Sequence, residues 1–363
     1  MPDTGHMSVL GSVSFGWLHA HGGFLFDEGF FFDPRRRLEQ ERRMQAFVAQ
    51  RFPDLPIYSI EAHLVQVEGR RRPVALVGGL QPNLILGAAV GARFIIAPDK
   101  DPDISPEPLA GLTDVGPLWN IDWPDTWPVS LLLGQVHEMR QTLGPDVAVI
   151  PPFFWDTTGR ATTHGIITTA QKLIGERVFL EMADNPGFVR ELFAWIVDAY
   201  VKLIQLFADA AGITVTGLHT GECSGCMMGP DQFAEFALPC LNNLADRVGP
   251  LRLHSCGNSN HLLDVFREVR NVAILNLGSG TSVAAVRDRF GPIRIDIMPQ
   301  THLLTAGSPQ DMDAWVRQCV ADNGDARLQF EYHLDLNQPE QNCLQIHRTL
   351  EEMGIHSPRL QVY

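Results

Sequence analysis

The stretch LRLHSCGNSNHLLDVFREVRNVAILN, residues 251–276, reads as strand, glycine turn, helix and second strand, the βαβ step of a parallel sheet. The same rhythm extends in both directions from it. Strands are expected at 147–151, 213–218, 251–254, 272–276, 293–297 and 328–332. Helices are expected at 188–211, 230–248, 259–269, 282–290, 308–322 and 339–353. In the first of these helices Val189, Leu192, Phe193, Ile196, Val197, Tyr200, Leu203 and Ile204 recur every three or four residues, so one face is apolar. Ser308 and Pro309 supply a cap and first turn for another. Upstream, PVALVGGLQPNLILGAAVGARFIIAP reads as strand, glycine-rich turn, helix and strand, and Asp99 to Pro117 as a surface loop. No internal repeat is present. The fold expected is α/β, a (β/α)8 TIM-like barrel (71–363) with an N-terminal extension (1–70) packed on it.

The 363 residues are 45% apolar and 19% charged, ordinary globular composition with enough apolar side chains for a large core. Lys and Arg number 28 against 42 Asp and Glu, a net charge of −14, which disfavours a nucleic-acid partner. The basic run Arg35 to Arg37 and the turn Arg70 to Arg72 are expected on the solvated surface. Neither a secretory leader nor a membrane-length apolar run occurs, so a cytoplasmic enzyme with no membrane partner is expected. Six cysteines in this length do not make a disulfide scaffold, and reduced thiols are available as ligands or nucleophiles.

Barrels of this kind carry their chemistry at the carboxyl ends of the strands. The expected ends deliver Trp155 and Asp156, then His219 to Glu222, His254 and Cys256, Asn276, Asp296, and finally His333 and Asp335. His254 and Cys256, two apart, point to one side while Ser255 points away, and Gly257 permits the tight turn that follows. Sulfur with imidazole suits zinc, whose catalytic sites use three protein ligands and an open fourth position. The third ligand expected is His333, across the same mouth. In HTGECSGCMMGP the pair Cys223 and Cys226 could complete the zinc site, act as a redox pair, or serve only as small loop residues. Glu222 is expected to touch substrate, because a carboxylate at a strand end is costly to bury alone. His19 and His21, in FGWLHAHGG, are read as an additional ligand pair, a substrate clamp, or residues of a surface arm or the core. Cys240, Cys319 and Cys343 are expected in helix cores. No phosphate-cradling G-x-G-x-x-G or G-x-x-x-x-G-K-[ST] occurs in context, and no G-x-S-x-G.

The segments LHTGECSGCMMGPDQFAEFALPCLNNL, LRLHSCGNSNHLLDVFREV, TAGSPQDMDAWVRQCVADNG and NQPEQNCLQIHRTLEEM resemble the uroporphyrinogen decarboxylase superfamily over roughly residues 181–354. That resemblance implies a (β/α)8 barrel. The H-x-C-G at His254 to Gly257 resembles one branch in particular, the zinc-dependent methylcobamide:coenzyme M methyltransferases and related corrinoid-linked enzymes. Authentic decarboxylases carry R-Q-A-G-R near the start and need no metal; FGWLHAHGGFLFDEG is unlike it, so porphyrinogen decarboxylation is disfavoured. The zinc branch usually has a second cysteine near the last strand, where this chain has FEYHLD and His333 as the apparent replacement. Two imidazoles and one thiolate would leave zinc with a net positive charge, whereas one imidazole and two thiolates would neutralise it.

Two enzymatic readings follow, both on a small-molecule substrate. In the first, a zinc-dependent alkyl, specifically methyl, transferase activates a thiol at a site held by His254, Cys256 and His333, with Glu222 orienting substrate or moving a proton and Asn276 and Asp296 in the pocket. A corrinoid donor would arrive on a separate protein, since the chain contains no D-x-H-x-x-G module. In the second, zinc-bound water or a metal-polarised carboxylate gives a hydrolase, lyase or decarboxylase, which the extra histidine favours. A third, non-enzymatic reading is a zinc- or corrinoid-binding component.

Overall fold

The computed structural model describes residues 6–59, 74–278 and 280–357. Twelve strands are present among them: β1 Met7–Val13, β2 Ile57–Tyr58, β3 Val74–Leu76, β4 Phe94–Ile95, β5 Asp103–Ile104, β6 Ala148–Ile150, β7 Arg160–His164, β8 Gly217–Gly221, β9 Leu251–Ser255, β10 Val272–Leu277, β11 Arg294–Ile297 and β12 Leu328–Leu334. Eight of them form one parallel sheet in the order β2-β1-β12-β11-β10-β9-β8-β7, while β3 and β6 form a separate parallel pair. Helices alternate with the strands, and the architecture is a (β/α)8 barrel with an N-terminal extension.

The first strand lies against the last. β1 pairs β12 along its whole length, from Met7 with Leu328 to Val13 with Leu334. The N-terminal segment is therefore partly in the sheet, not only packed on the barrel. The expected boundary at residue 70, and the Arg70 to Arg72 turn, lie outside the described residues. MSVLGSV was overlooked as a strand because Gly11 breaks its apolar alternation; a Cβ there would stand 2.4 Å from the buried Tyr332 ring.

Helix Pro186–Ala211 forms as its apolar periodicity demands. Asn185 accepts from the Phe188 amide, proline occupies the first turn, and Gly212 ends the helix at φ +66°. Leu192, Ile196, Tyr200, Leu203 and Phe207 are fully buried on its core face. Two expectations shift. The strand expected at 213–218 is β8, displaced towards its C-terminus, and it opens on Gly217, where a Cβ would meet the Pro250 carbonyl at 2.7 Å. The helix expected at 259–269 is a 3-10 turn, Asn260–Leu262, followed by the short helix Leu263–Phe266.

Arg35 and Arg36 are exposed as expected, but Arg37 is buried. Its Nη1 donates to the Gly78 carbonyl at 2.9 Å, its Nε to Glu41 at 2.7 Å, and its guanidinium lies 4.5 Å from the Phe30 ring centre. It ties helix Pro34–Arg51 to the turn after β3, an anchor that charge patterning does not distinguish from solvated arginine. Among the described residues no helix is long and apolar enough to cross a membrane.

Gly11→Ala is expected to cost about 1–3 kcal/mol through overpacking against Tyr332. Gly111→Ala, where nothing lies within 4 Å, should leave stability nearly unchanged. Denaturant unfolding of the two variants checks this; equal midpoints would contradict the β1–β12 packing described.

Candidate metal centre

Parallel register aligns residues of successive strands into rows, and one row carries the site. His254 pairs with Asn276, Asn276 with Asp296, and Asp296 with Gln329. On the other side His254 pairs with Gly221, and Gly221 with His164. Three of the expected site residues thus come from three adjacent strands at one level.

Asn276 is buried and sets the His254 ring. Its Nδ2 donates to the Asp296 carbonyl and to Glu331 Oε2, both at 3.1 Å, so its Oδ1 faces His254 Nδ1 at 2.6 Å. An amide oxygen only accepts. His254 Nδ1 therefore carries the proton, and Nε2 is the nitrogen left open to a metal.

Beneath this row lies a buried ion network. Arg252 Nε donates to Asp296 Oδ2 at 2.8 Å, its Nη2 to both Glu331 oxygens at 3.0 and 2.8 Å, and its Nη1 meets His219 Nδ1 at 2.9 Å. Arg294 Nε takes the other Asp296 oxygen at 2.8 Å. Burial works against the Arg252 cation, but the Glu331 and Asp296 carboxylates outweigh it and raise its pKa. Trp155 packs on His219, ring centres 4.0 Å apart. Asp296 is thus a fully engaged floor residue and Asn276 a support for His254; neither offers a free group to substrate.

A third side chain that could ligate a metal comes from the loop after β8. Cys223, His254 and Cys256 each place one ligand atom within 4.8 Å of the others. Tetrahedral zinc, with bonds of about 2.3 Å to sulfur and about 2.0 Å to nitrogen, places its donors roughly 3.5–3.8 Å apart, so the set fits with a small contraction. Cys256 is the thiolate of the pair: a hydrogen bond from Cys223 and then the His254 ring hold its pKa well down, while the same bond and burial push Cys223 up. Cys226 turns its Sγ to the Cys223 carbonyl at 3.0 Å, and a Cβ on Gly257 would lie only 2.3 Å from that sulfur. Glycine at 257 is what lets the two loops meet.

Glu222 has a different place from the one expected. Its carboxylate is buried under the loop, accepting from the Ile166 amide at 2.6 Å and the Ile167 amide at 3.3 Å. A strand-end carboxylate has found its partners at a helix N-terminus instead of in a substrate. Burial nonetheless pushes its pKa up to about 7 against those amides. Gly165 makes room, since a Cβ there would stand 2.3 Å from Glu222 Oε2. Ser224 adds a second tether, its amide donating to Thr168 Oγ1 at 3.1 Å and its hydroxyl to Gln171 Oε1 at 2.5 Å.

His333 does not join the cluster. It lies three strands from β9, its Nδ1 2.7 Å from Ser12 Oγ. His19 and His21 also stand apart: His19 Nδ1 meets the Phe24 carbonyl at 2.8 Å, and the His21 ring packs 4.6 Å from Trp17. Cys319 and Cys343 are buried in helices, and Cys240 is half-buried in another. One residue at the site was missed. His164 closes β7, a polar RATTH strand whose lack of an apolar run hid it, and burial, with the neighbouring His254 and Lys172 charges, pushes its pKa down to about 4.

Fold and site together define a (β/α)8 barrel with a sulfur- and imidazole-lined mouth. The chain belongs to the uroporphyrinogen decarboxylase (URO-D) family, whose family model matches residues 79–330. In fold it is similar to a methyltransferase from Methanosarcina mazei, 15% identical, with 96% of this chain and 95% of that one covered at a TM-score of 0.64. A B12-independent methionine synthase from a Shewanella species matches at 10% identity, 96% and 97% coverage, and a TM-score of 0.44. No curated protein matches the chain.

Asn276→Ala is expected to weaken zinc binding by about 10–100-fold, as loss of a partner behind a ligating imidazole generally does. His333→Ala should leave zinc affinity unchanged. Competition with a chromogenic chelator measures both; an unchanged affinity in Asn276→Ala would contradict the support role.

Proposed function

We propose that the protein is a zinc-dependent alkyltransferase, in particular a methyltransferase, acting on a small thiol substrate. The observation that carries this reading is the convergence of Cys223, His254 and Cys256 within 4.8 Å at the barrel mouth, with the His254 tautomer set by Asn276. One imidazole and two thiolates would neutralise the ion. Zinc bound there would supply an open position at which a thiol loses its proton near neutral pH yet stays nucleophilic. Cys223 and Cys256 would hold and neutralise the ion, His254 would complete the set, and Asn276 keeps the ring from rotating. Glu222 and Ser224 hold the Cys223 loop at the distance the set requires.

The hydrolase, lyase or decarboxylase reading drew its support from a second imidazole on the metal, and His333 stands elsewhere. The alkyl donor is taken to arrive on a separate protein, a corrinoid carrier. All six cysteines are free, which fits a reducing, cytoplasmic setting.

Cys256→Ser is expected to lower zinc content and thiol alkylation together. In cobalt-substituted protein, added thiol should give a new sulfur-to-cobalt charge-transfer band. Full zinc occupancy in Cys256→Ser, or no band with any thiol tried, would contradict the proposal.

A further inference from the structure

His164 lies in the same register row as His254, two strands away, and the residue between them is Gly221. The wall between the two imidazoles is therefore bare backbone. A Cβ at Gly221 would stand 3.0 Å from His254 Cδ2, so a side chain there would crowd the ring as well as fill the gap. What stands opposite Gly221 on β7 is an imidazole to which no side-chain hydrogen bond is made among the described residues.

The two nitrogens of His164 differ. Nδ1 is enclosed and has no hydrogen-bond partner. Among the described residues none hydrogen-bonds Nε2, which is not one of the enclosed unpartnered atoms, and the residue as a whole is half-buried. A buried N–H with nothing to accept it is among the rarest arrangements in folded proteins. Placing the proton on Nε2 avoids it, since water or a ligand can accept there. Enclosure of the ring by protein, with the Lys172 cation nearby, pushes its pKa down and keeps it neutral. The outcome is one uncharged N–H donor beside the metal position, held by a β-strand.

We propose that His164 is a substrate-binding residue whose Nε2–H donates a hydrogen bond, across the bare strand at Gly221, to a carboxylate or carbonyl oxygen of the thiol substrate. This rests on the thiol reading above and adds the chemical class: a thiol bearing an oxygen acceptor. No charge on His164 is needed, and none of the three metal donors is asked to do a second task.

The test uses zinc-loaded wild type, His164→Ala and His164→Gln, with 3-mercaptopropionate, propanethiol and propionate as calorimetric probes. A hydrogen bond to a charged acceptor corresponds to about 10–100-fold in affinity. His164→Ala should weaken 3-mercaptopropionate by that factor and change propanethiol by less than about twofold. His164→Gln, which keeps an N–H donor, should recover part of the loss and covers the case in which the alanine variant fails to fold. Nitrogen NMR of labelled wild type should place the His164 proton on Nε2 at neutral pH. Equal weakening of both thiols, no weakening of either, loss of zinc with His164, or a proton on Nδ1 would each overturn the proposal. If cobalt spectra show that no thiol sulfur enters the wild-type metal site, the thiol reading fails and propionate decides for His164 alone. Weaker propionate binding in His164→Ala supports the donor; equal or undetectable binding overturns it.

Discussion

The hydrogen bond from His254 Nδ1 to Asn276 Oδ1 is the constraint on which the metal position depends. It is imposed from below. Both Asn276 amide hydrogens are taken by the Asp296 carbonyl and Glu331, so the amide cannot flip without stranding two acceptors. Glu331 is in turn clasped by Arg252, and Asp296 by Arg252 and Arg294. Arg252 is the member the network can least lose, because without it Glu331 has no cation, a break that typically costs about 3–5 kcal/mol when buried. Orientation of one imidazole is thus referred to the centre of the barrel.

The sulfur side is built on a different principle. Cys256 follows directly from β9, but Cys223 rides on a loop, and a loop donor is placed only as well as its tethers allow. Glu222 supplies the main one by docking on the N-terminus of helix Ile166–Ile174, where two amides lack intrahelical partners. Two glycines make the approach possible, Gly165 beside the carboxylate and Gly257 beside Cys226. Strand geometry and loop tethering meet at the thiol pair, and a metal held there by one imidazole and two thiolates would carry the charge the proposed chemistry asks for.

Much of this was legible in the sequence. The βα rhythm from residue 146 onward gave the barrel, and the two-residue spacing of His254 and Cys256 gave a shared direction, because strand parity is local. The third donor was harder. His333 was the expected choice by its strand-end position, yet its ring is turned to Ser12, and such a rotation depends on neighbours remote in sequence. Cys223 stood only among the alternatives. Glu222 is expected at the substrate, but its carboxylate docks on a helix terminus that no local pattern links to it. β1 and β7 were missed since their inner faces are polar or glycine-bearing, so neither shows the apolar run by which strands are recognised. With β7 went His164.

The most direct measurement is zinc-edge X-ray absorption of the resting protein purified without added metal. The account predicts near-stoichiometric zinc with two sulfur ligands, one imidazole nitrogen and one further light atom. Two imidazoles with a single sulfur, or no bound zinc at all, would contradict it.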